Sequence, residues 1–394
     1  MKSIKKPIVI VGAGFGGITV AINLKKLNPS LPILVVDSEE KFIFKPLMYE
    51  ILSEEIPMWE AAPEYSNLFS NLGITFLRNC LTKINLEENI LEFSDDLKIE
   101  YQSLVICTGS LPNNFEVKGV DENCYFFNNL NDLTKLKSIL QKMQNNYETK
   151  DLYIIGAGPS GVEIACKISD LYKDEFNITL IERSNEILSK SKIFNREEAE
   201  KALQFRNINL ILNSTVQEIS KHKILILNDA GVKELDHNIV IWTAGVKPSL
   251  SFIDDKVKRI KERILVNEKF QIDNFFNSFA IGDISIIKGM EDLPLTAQVA
   301  IQEGKHLAKN LDLLFQEKDL LPFEFQDNGE MISLGIGEAS ISALGVTLSG
   351  KFAFEARRLI YASKMPAIGK SFKSTASWLF KKKSVLNKFI NKTP

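Results

Sequence analysis

The sequence predicts an α/β protein with two parallel-sheet units of the same local grammar, followed by a smaller α+β extension. Three observations carry this. A β-branched run, Ile8 to Val11, leads into Gly12, Gly14 and Gly17 and then into an apolar helix pattern through Leu27. The same order returns 144 residues later in LYIIGAGPSGVEIA, with Gly156, Gly158 and Gly161. From SLGIGEASISALGV (Ser333 to Val346) onward this grammar stops.

At 394 residues the chain exceeds one ordinary core and suggests two or three domains. Its 45% hydrophobic and 25% charged residues exclude a disordered or fibrous protein. The net charge of −2 hides an asymmetry, because Ala356 to Pro394 carries ten Lys or Arg and no Asp or Glu. An acidic body therefore ends in a basic tail. Cys80, Cys107, Cys124 and Cys166 contain no CxxC pair, which points to a reducing setting and structural thiols. His222, His237 and His306 make no metal motif, so no metal is expected. Lys2, Lys5 and Lys6 before an apolar stretch imitate a secretory signal, but the glycine spacing marks a strand–turn–helix instead. No uninterrupted apolar run reaches about 18 residues, so no membrane-spanning helix is expected.

Each glycine run is a Rossmann-like signature with its full context. Glycines at this spacing let the chain turn tightly and bring backbone N–H groups against a pyrophosphate at a helix N-terminus, where the macrodipole favours an anion. The strand ILVVD places Asp37 twenty residues after Gly17, and ITLIER places Glu182 twenty-one after Gly161. A carboxylate there accepts from the hydroxyls of an adenosine ribose. Two complete motifs imply two cofactors, most economically a flavin dinucleotide and a nicotinamide dinucleotide. LVICTGSLP, with Thr108 and Gly109, and IVIWTAGVKP, with Ala244 and Gly245, read as strands on which the chain leaves one domain and re-enters the other. FAIGD offers the Gly282 N–H and the Asp283 carboxylate to the ribityl and phosphate part of a flavin.

The order GxGxxG, TGS, GxGxxG, TAG, GD resembles the two-dinucleotide-binding-domain flavoproteins over residues 4 to about 310. That resemblance implies FAD at the first site, NADH or NADPH at the second, and a discontinuous FAD domain. The implied domains are 1–118 with 246–325 for FAD, 119–245 for NAD(P)H, and a C-terminal membrane-association or dimerisation region at 326–394. Disulfide reductases of this kind need a cysteine pair that the chain lacks, and sulfide:quinone oxidoreductases need a late cysteine, whereas none follows Cys166.

More specifically, the chain resembles the type II NAD(P)H:quinone oxidoreductases. FIFKPLMYE (Phe42 to Glu50), with Lys45 and Pro46, is similar to a family segment that lies close to the flavin. Ala297, Gln298, Ala300 and Gln302 are similar to the family's AQxAxQ motif, on a helix bordering flavin and quinone. Glu163 of GVE matches a glutamate placed near the nicotinamide. Its plain alternative is a helix N-terminal acid stabilised by the dipole, and that of Gln298 and Gln302 is a closely packed core helix.

The resemblance implies hydride transfer from NAD(P)H to the flavin N5, then two electrons to a quinone, respiratory or a demethylated naphthoquinone of phylloquinone or menaquinone synthesis. Gln298 and Gln302 would orient flavin and quinone, and Lys45 would stabilise charge on the reduced ring. Glu182 favours NADH, while Arg183 beside it leaves NADPH open. SWLFKKKSVLNKFI near the C-terminus reads as a basic amphipathic helix suited to an anionic membrane surface on the cytoplasmic face. A second subunit is the other expected cover for that helix, as a homodimer; nucleic acid is not expected. A soluble reductase passing electrons to a ferredoxin or rubredoxin and a non-catalytic redox sensor are the competing readings.

Overall fold

The computed structural model describes residues 6–144, 150–254 and 256–366. The elements that build the sites are, in chain order, β1 (Ile8–Val11), α1 (Phe15–Leu27), β2 (Ile33–Asp37), β3 (Thr75–Arg78), β4 (Ser103–Ile106), β5 (Lys150–Ile155), α2 (Pro159–Tyr172), β6 (Phe176–Ile181) and β7 (Asn209–Ile211). They continue with β8 (Ile239–Trp242), β9 (Phe275–Ala280), α3 (Ala297–Phe315), β10 (Glu330–Gly335), β11 (Glu338–Ala343), β12 (Val346–Ser349) and α4 (Gly350–Lys364).

The chain divides into two compact units. Among the described residues, the first comprises those within 1–42, 62–111 and 246–327, and the second those within 43–61, 112–245 and 328–394. The segment holding Lys45 and Pro46 thus belongs to the second unit.

In the first unit the parallel part of a nine-stranded sheet runs β3-β2-β1-β4-β9, with Ile8 opposite Ile33 on one side and Ser103 on the other, and antiparallel strands extend it beyond β9. All four residues of β1 and of β4 are buried, as expected of strands covered on both faces. Helix α3 packs on α1 at very short range. A Cβ on Gly304 would lie 2.7 Å from Gly16 O and 2.9 Å from Thr19 Cβ, so glycine there is what lets the two backbones meet. Thr296 caps α3 by accepting from Val299 N–H.

The second unit repeats the plan with β7-β6-β5-β8, again all parallel. Its C-terminal part is an antiparallel meander, β10-β11-β12, covered by α4. This is the α+β extension that the sequence predicts. The amphipathic stretch SWLFKKKSVLNKFI lies outside the described residues. No helix among the described residues is long and apolar enough to cross a membrane.

Candidate dinucleotide-binding sites

Both strand orders reverse beside a glycine turn, at β1 in the first unit and β5 in the second, and ligands of open parallel sheets bind at such carboxyl-end crevices. In the first unit Gly12 adopts a φ of +96°, and a Cβ there would meet Cys107 O at 2.4 Å. A Cβ on Gly17 would lie 1.9 Å from Gly12 O, whereas one on Gly14 would meet nothing within 4 Å. Gly17 therefore closes the turn on the helix, and Gly14 leaves open space where a phosphate approaches.

Asp37 completes the cradle. Its Oδ2 accepts from Ala13 N–H at 2.7 Å and its Oδ1 from Glu39 N–H at 2.9 Å. Burial raises the pKa of this carboxyl, and those N–H groups oppose the rise. Each carboxylate oxygen has two acceptor sites, so acceptor capacity remains for a ribose hydroxyl even with the Ser38 N–H also directed at the group. The second unit reproduces this pattern: Glu182 Oε2 accepts from Ala157 N–H at 2.8 Å and Oε1 from Ser184 N–H at 2.9 Å. Its glycines repeat too, with Gly161 1.9 Å from Gly156 O by the same measure and Gly158 open. Arg183 is exposed beside Glu182. Ala244 follows β8 and would lie 2.9 Å from a Cβ on Gly156, and Gly245 comes next.

Around the first cradle, Thr108 Oγ1 is buried without a hydrogen-bond partner, a polar group that a ligand would satisfy. Gly109 leaves open space beside it. The GD turn is engaged internally. Gly282 N–H donates to Glu303 Oε2 at 2.6 Å, and Ser110 Oγ donates to Asp283 Oδ2 at 2.6 Å. Burial pushes the Glu303 carboxyl up to about 7, and it lines a cavity of about 20 Å³ with Arg263, Asp283 and Ser285. The residues present fit an FAD, with an open glycine, a ribose acid and an orphaned hydroxyl on one sheet edge.

Ala297 and Gln298 occupy the first turn of α3, both half-buried. One turn on, Gln302 Nε2 donates to Gln326 O at 2.8 Å and its Oε1 accepts from Gln326 N–H at 3.0 Å.

Glu163 and Pro46 meet a buried charge cluster of the second unit, and Lys45 is exposed. Glu163, on α2, is 6% exposed, and its Oε1 accepts from Ser333 N–H at 2.8 Å. The guanidinium of Arg357 on α4 lies 3.6 Å from that oxygen, pairs with Glu50, donates to Pro46 O at 2.7 Å and stacks on Tyr361. Burial pushes the Glu163 carboxyl up to about 7, against the pull of Arg357 and the Ser333 N–H. Burial opposes ionisation of Glu50 as well, but Arg357 and Lys167 outweigh it and hold that carboxyl below the ordinary value. Lys45 Nζ donates to Asn128 Oδ1 at 2.7 Å.

Two groups here were not singled out from sequence. Arg357 and Glu303 are single charges on helix faces that also carry buried apolar residues, Phe354 and Ala353 for one, Val299 and Ala300 for the other. A charge interrupting an apolar face was the available signal. No cluster of potential metal ligands occurs among the described residues.

Comparison with known proteins adds four findings. The family described as pyridine nucleotide-disulphide oxidoreductase matches residues 6–304. The alternative NAD(P)H-ubiquinone oxidoreductase C1 of Arabidopsis thaliana is 31% identical over 96% of this chain and 81% of its own length. The demethylphylloquinone reductase of Synechocystis is also 31% identical, over 96% and 97%. Among solved structures, NDH2 from Plasmodium falciparum in complex with NADH superposes with a TM-score of 0.84 at 20% identity, covering 96% of this chain and 98% of that one.

Proposed function

The chain belongs to the pyridine nucleotide-disulphide oxidoreductase family and, within it, to the type II NAD(P)H:quinone oxidoreductases, and on that footing we propose how its residues divide the work. It is an FAD-dependent NAD(P)H dehydrogenase with a quinone as acceptor. FAD, when bound, takes a hydride from NAD(P)H at N5 and returns two electrons to a quinone.

In this reading the segments 1–118 and 246–325 hold FAD, 119–245 holds NAD(P)H and 326–394 is the C-terminal extension. The observation that carries it is the duplicated cradle, in which Asp37 and Glu182 each take the N–H after the first glycine and the N–H two residues on. Gly12, Gly14 and Gly17 receive the FAD pyrophosphate, Asp37 its ribose, and Thr108 and Asp283 the chain toward the ring. Gly156, Gly158, Gly161 and Glu182 do the same for NAD(P)H, and Glu182 makes NADH the preferred donor by repelling a 2′-phosphate. Gln298 orients the flavin edge and the quinone, with Gln302 fixing the adjacent backbone. Glu163, its carboxyl pushed up to about 7, exchanges protons near neutrality beside Arg357.

Two relatives are named for a ubiquinone and for demethylphylloquinone, so a panel of ubiquinone, plastoquinone, menaquinone and demethylated naphthoquinone analogues is the appropriate set. The basic tail supports peripheral attachment to the cytoplasmic face of a membrane. The test is anaerobic. NADH should bleach the flavin of the purified protein, and a quinone should restore the colour. A colourless protein overturns the reading, and so does a bleached flavin that ferredoxin or rubredoxin reoxidises while quinones do not.

A further inference from the structure

We propose that Phe115 is the aromatic contact for the nicotinamide end of the bound dinucleotide. This rests on the reading of the second unit as the NAD(P)H domain. In a sheet of order β7-β6-β5-β8 the dinucleotide crosses the carboxyl edge where the strand order reverses, between β5 and β8. Glu182, at the end of β6, marks the adenosine end. The nicotinamide end therefore extends past β8, whose chain continues as Thr243, Ala244 and Gly245.

Phe115 is held at that place by Asn113. Asn113 N–H donates to Gly245 O at 3.0 Å, its backbone O accepts from Trp242 Nε1 at 2.8 Å, and its Oδ1 accepts from Phe115 N–H at 2.9 Å. The ring leans on Gly245 so closely that a Cβ there would meet Cζ at 3.0 Å and Cε2 at 3.2 Å. Glycine at 245 is what makes room for the ring.

Two further features set Phe115 apart from an ordinary loop residue. Phe115 and Glu116 both have left-handed backbone, with φ of +50° and +59°, which is unfavourable for a bulky side chain. The Asn113 and Asn114 side chains hold this backbone by accepting from the Phe115 and Glu116 N–H groups at 2.9 and 3.1 Å, and the ring is left 55% exposed. A backbone fixed in this way presents an apolar ring beside Gly245 at the end of the β8 strand, where a ligand can cover it. The flat nicotinamide suits it, since aromatic pairs gain beyond their buried area.

The test is to titrate the holoenzyme, by calorimetry, with NAD⁺ and with ADP-ribose, which keeps the adenosine and pyrophosphate but lacks nicotinamide. Phe115→Ala should weaken NAD⁺ binding by roughly 3- to 10-fold and leave ADP-ribose binding nearly unchanged. Phe115→Leu, which keeps bulk without a π face, should weaken NAD⁺ binding as Phe115→Ala does and spare ADP-ribose, and Phe115→Tyr should retain both affinities. Equal weakening of the two ligands, or no change in either, overturns the role given to Phe115. Failure of the unaltered protein to bind ADP-ribose overturns the reading of the second unit, and this proposal with it.

Discussion

Gln302 clasps the backbone of Gln326 from both ends of its amide, donating to the carbonyl at 2.8 Å and accepting from the N–H at 3.0 Å. A side chain used twice in this way cannot turn freely, so its first role is to pin the chain after α3. Gln302→Leu removes two hydrogen bonds at an exposed site, each worth about 0.5–1.5 kcal/mol net at most. The expected outcome is a melting temperature lower by roughly 2–4 °C. In stopped-flow measurements, reduction of the flavin by NADH should stay near its original rate while reoxidation by quinone slows. Equal slowing of both half-reactions would leave Gln302 with the structural role alone.

The two kinds of glycine in each cradle should separate stability from binding. Gly17→Ala and Gly161→Ala place a methyl 1.9 Å from a backbone oxygen and must displace it. Gly14→Ala and Gly158→Ala meet nothing within 4 Å. The first pair should lower the folded yield and the melting temperature. The second pair should melt normally, with Gly14→Ala purifying depleted of FAD and Gly158→Ala showing a raised KM for NADH.

Glu303 predicts a pH dependence of stability. Its carboxyl goes from an ordinary 4.5 to about 7 in the folded protein, because burial disfavours the charge. The folded state therefore holds a proton that the unfolded state has released, and stability falls as pH rises from about 4.5 to about 7, then levels. The full effect is on the order of 3 kcal/mol. Glu303→Gln cannot ionise and should reduce that slope in denaturant titrations between about pH 5 and about pH 7, leaving the part that Glu163 contributes. A slope unchanged by the substitution would remove Glu303 as its source.

Arg357 and Glu50 form a pair in which both side chains are fully buried. Arg357→Met strips the buried Glu50 carboxylate of its paired guanidinium and leaves it only the nearby Lys167 charge, which costs about 3–5 kcal/mol. The double variant Arg357→Met with Glu50→Gln removes the stranded charge and should recover a large part of that loss. Chemical denaturation of the four proteins in the cycle measures the coupling. Additive effects would show that the pair is not a unit.

The duplicated α/β plan, the glycine turns and the acids Asp37 and Glu182 were legible from sequence, because each depends on spacing within about thirty residues of chain. The parallel order on either side of β1 and β5 follows from that local grammar. The opening stretch of α3 was legible as amides on one helical face, but its partners were not. Gln326 lies 24 residues from Gln302, Gly282 lies 21 from Glu303, and Glu50 lies 307 from Arg357. Such pairs have no periodicity, since they form only when separate elements pack. The strained Phe115 is of the same kind. Its sequence context reads as a plain loop, and only the docking of Asn113 on Gly245 and Trp242 sets where the ring stands. Sequence alone thus determined which cofactors the chain is built around. Tertiary packing decided which charges are buried together, and hence which carboxyls titrate near neutrality, because desolvation depends on what surrounds a group in space.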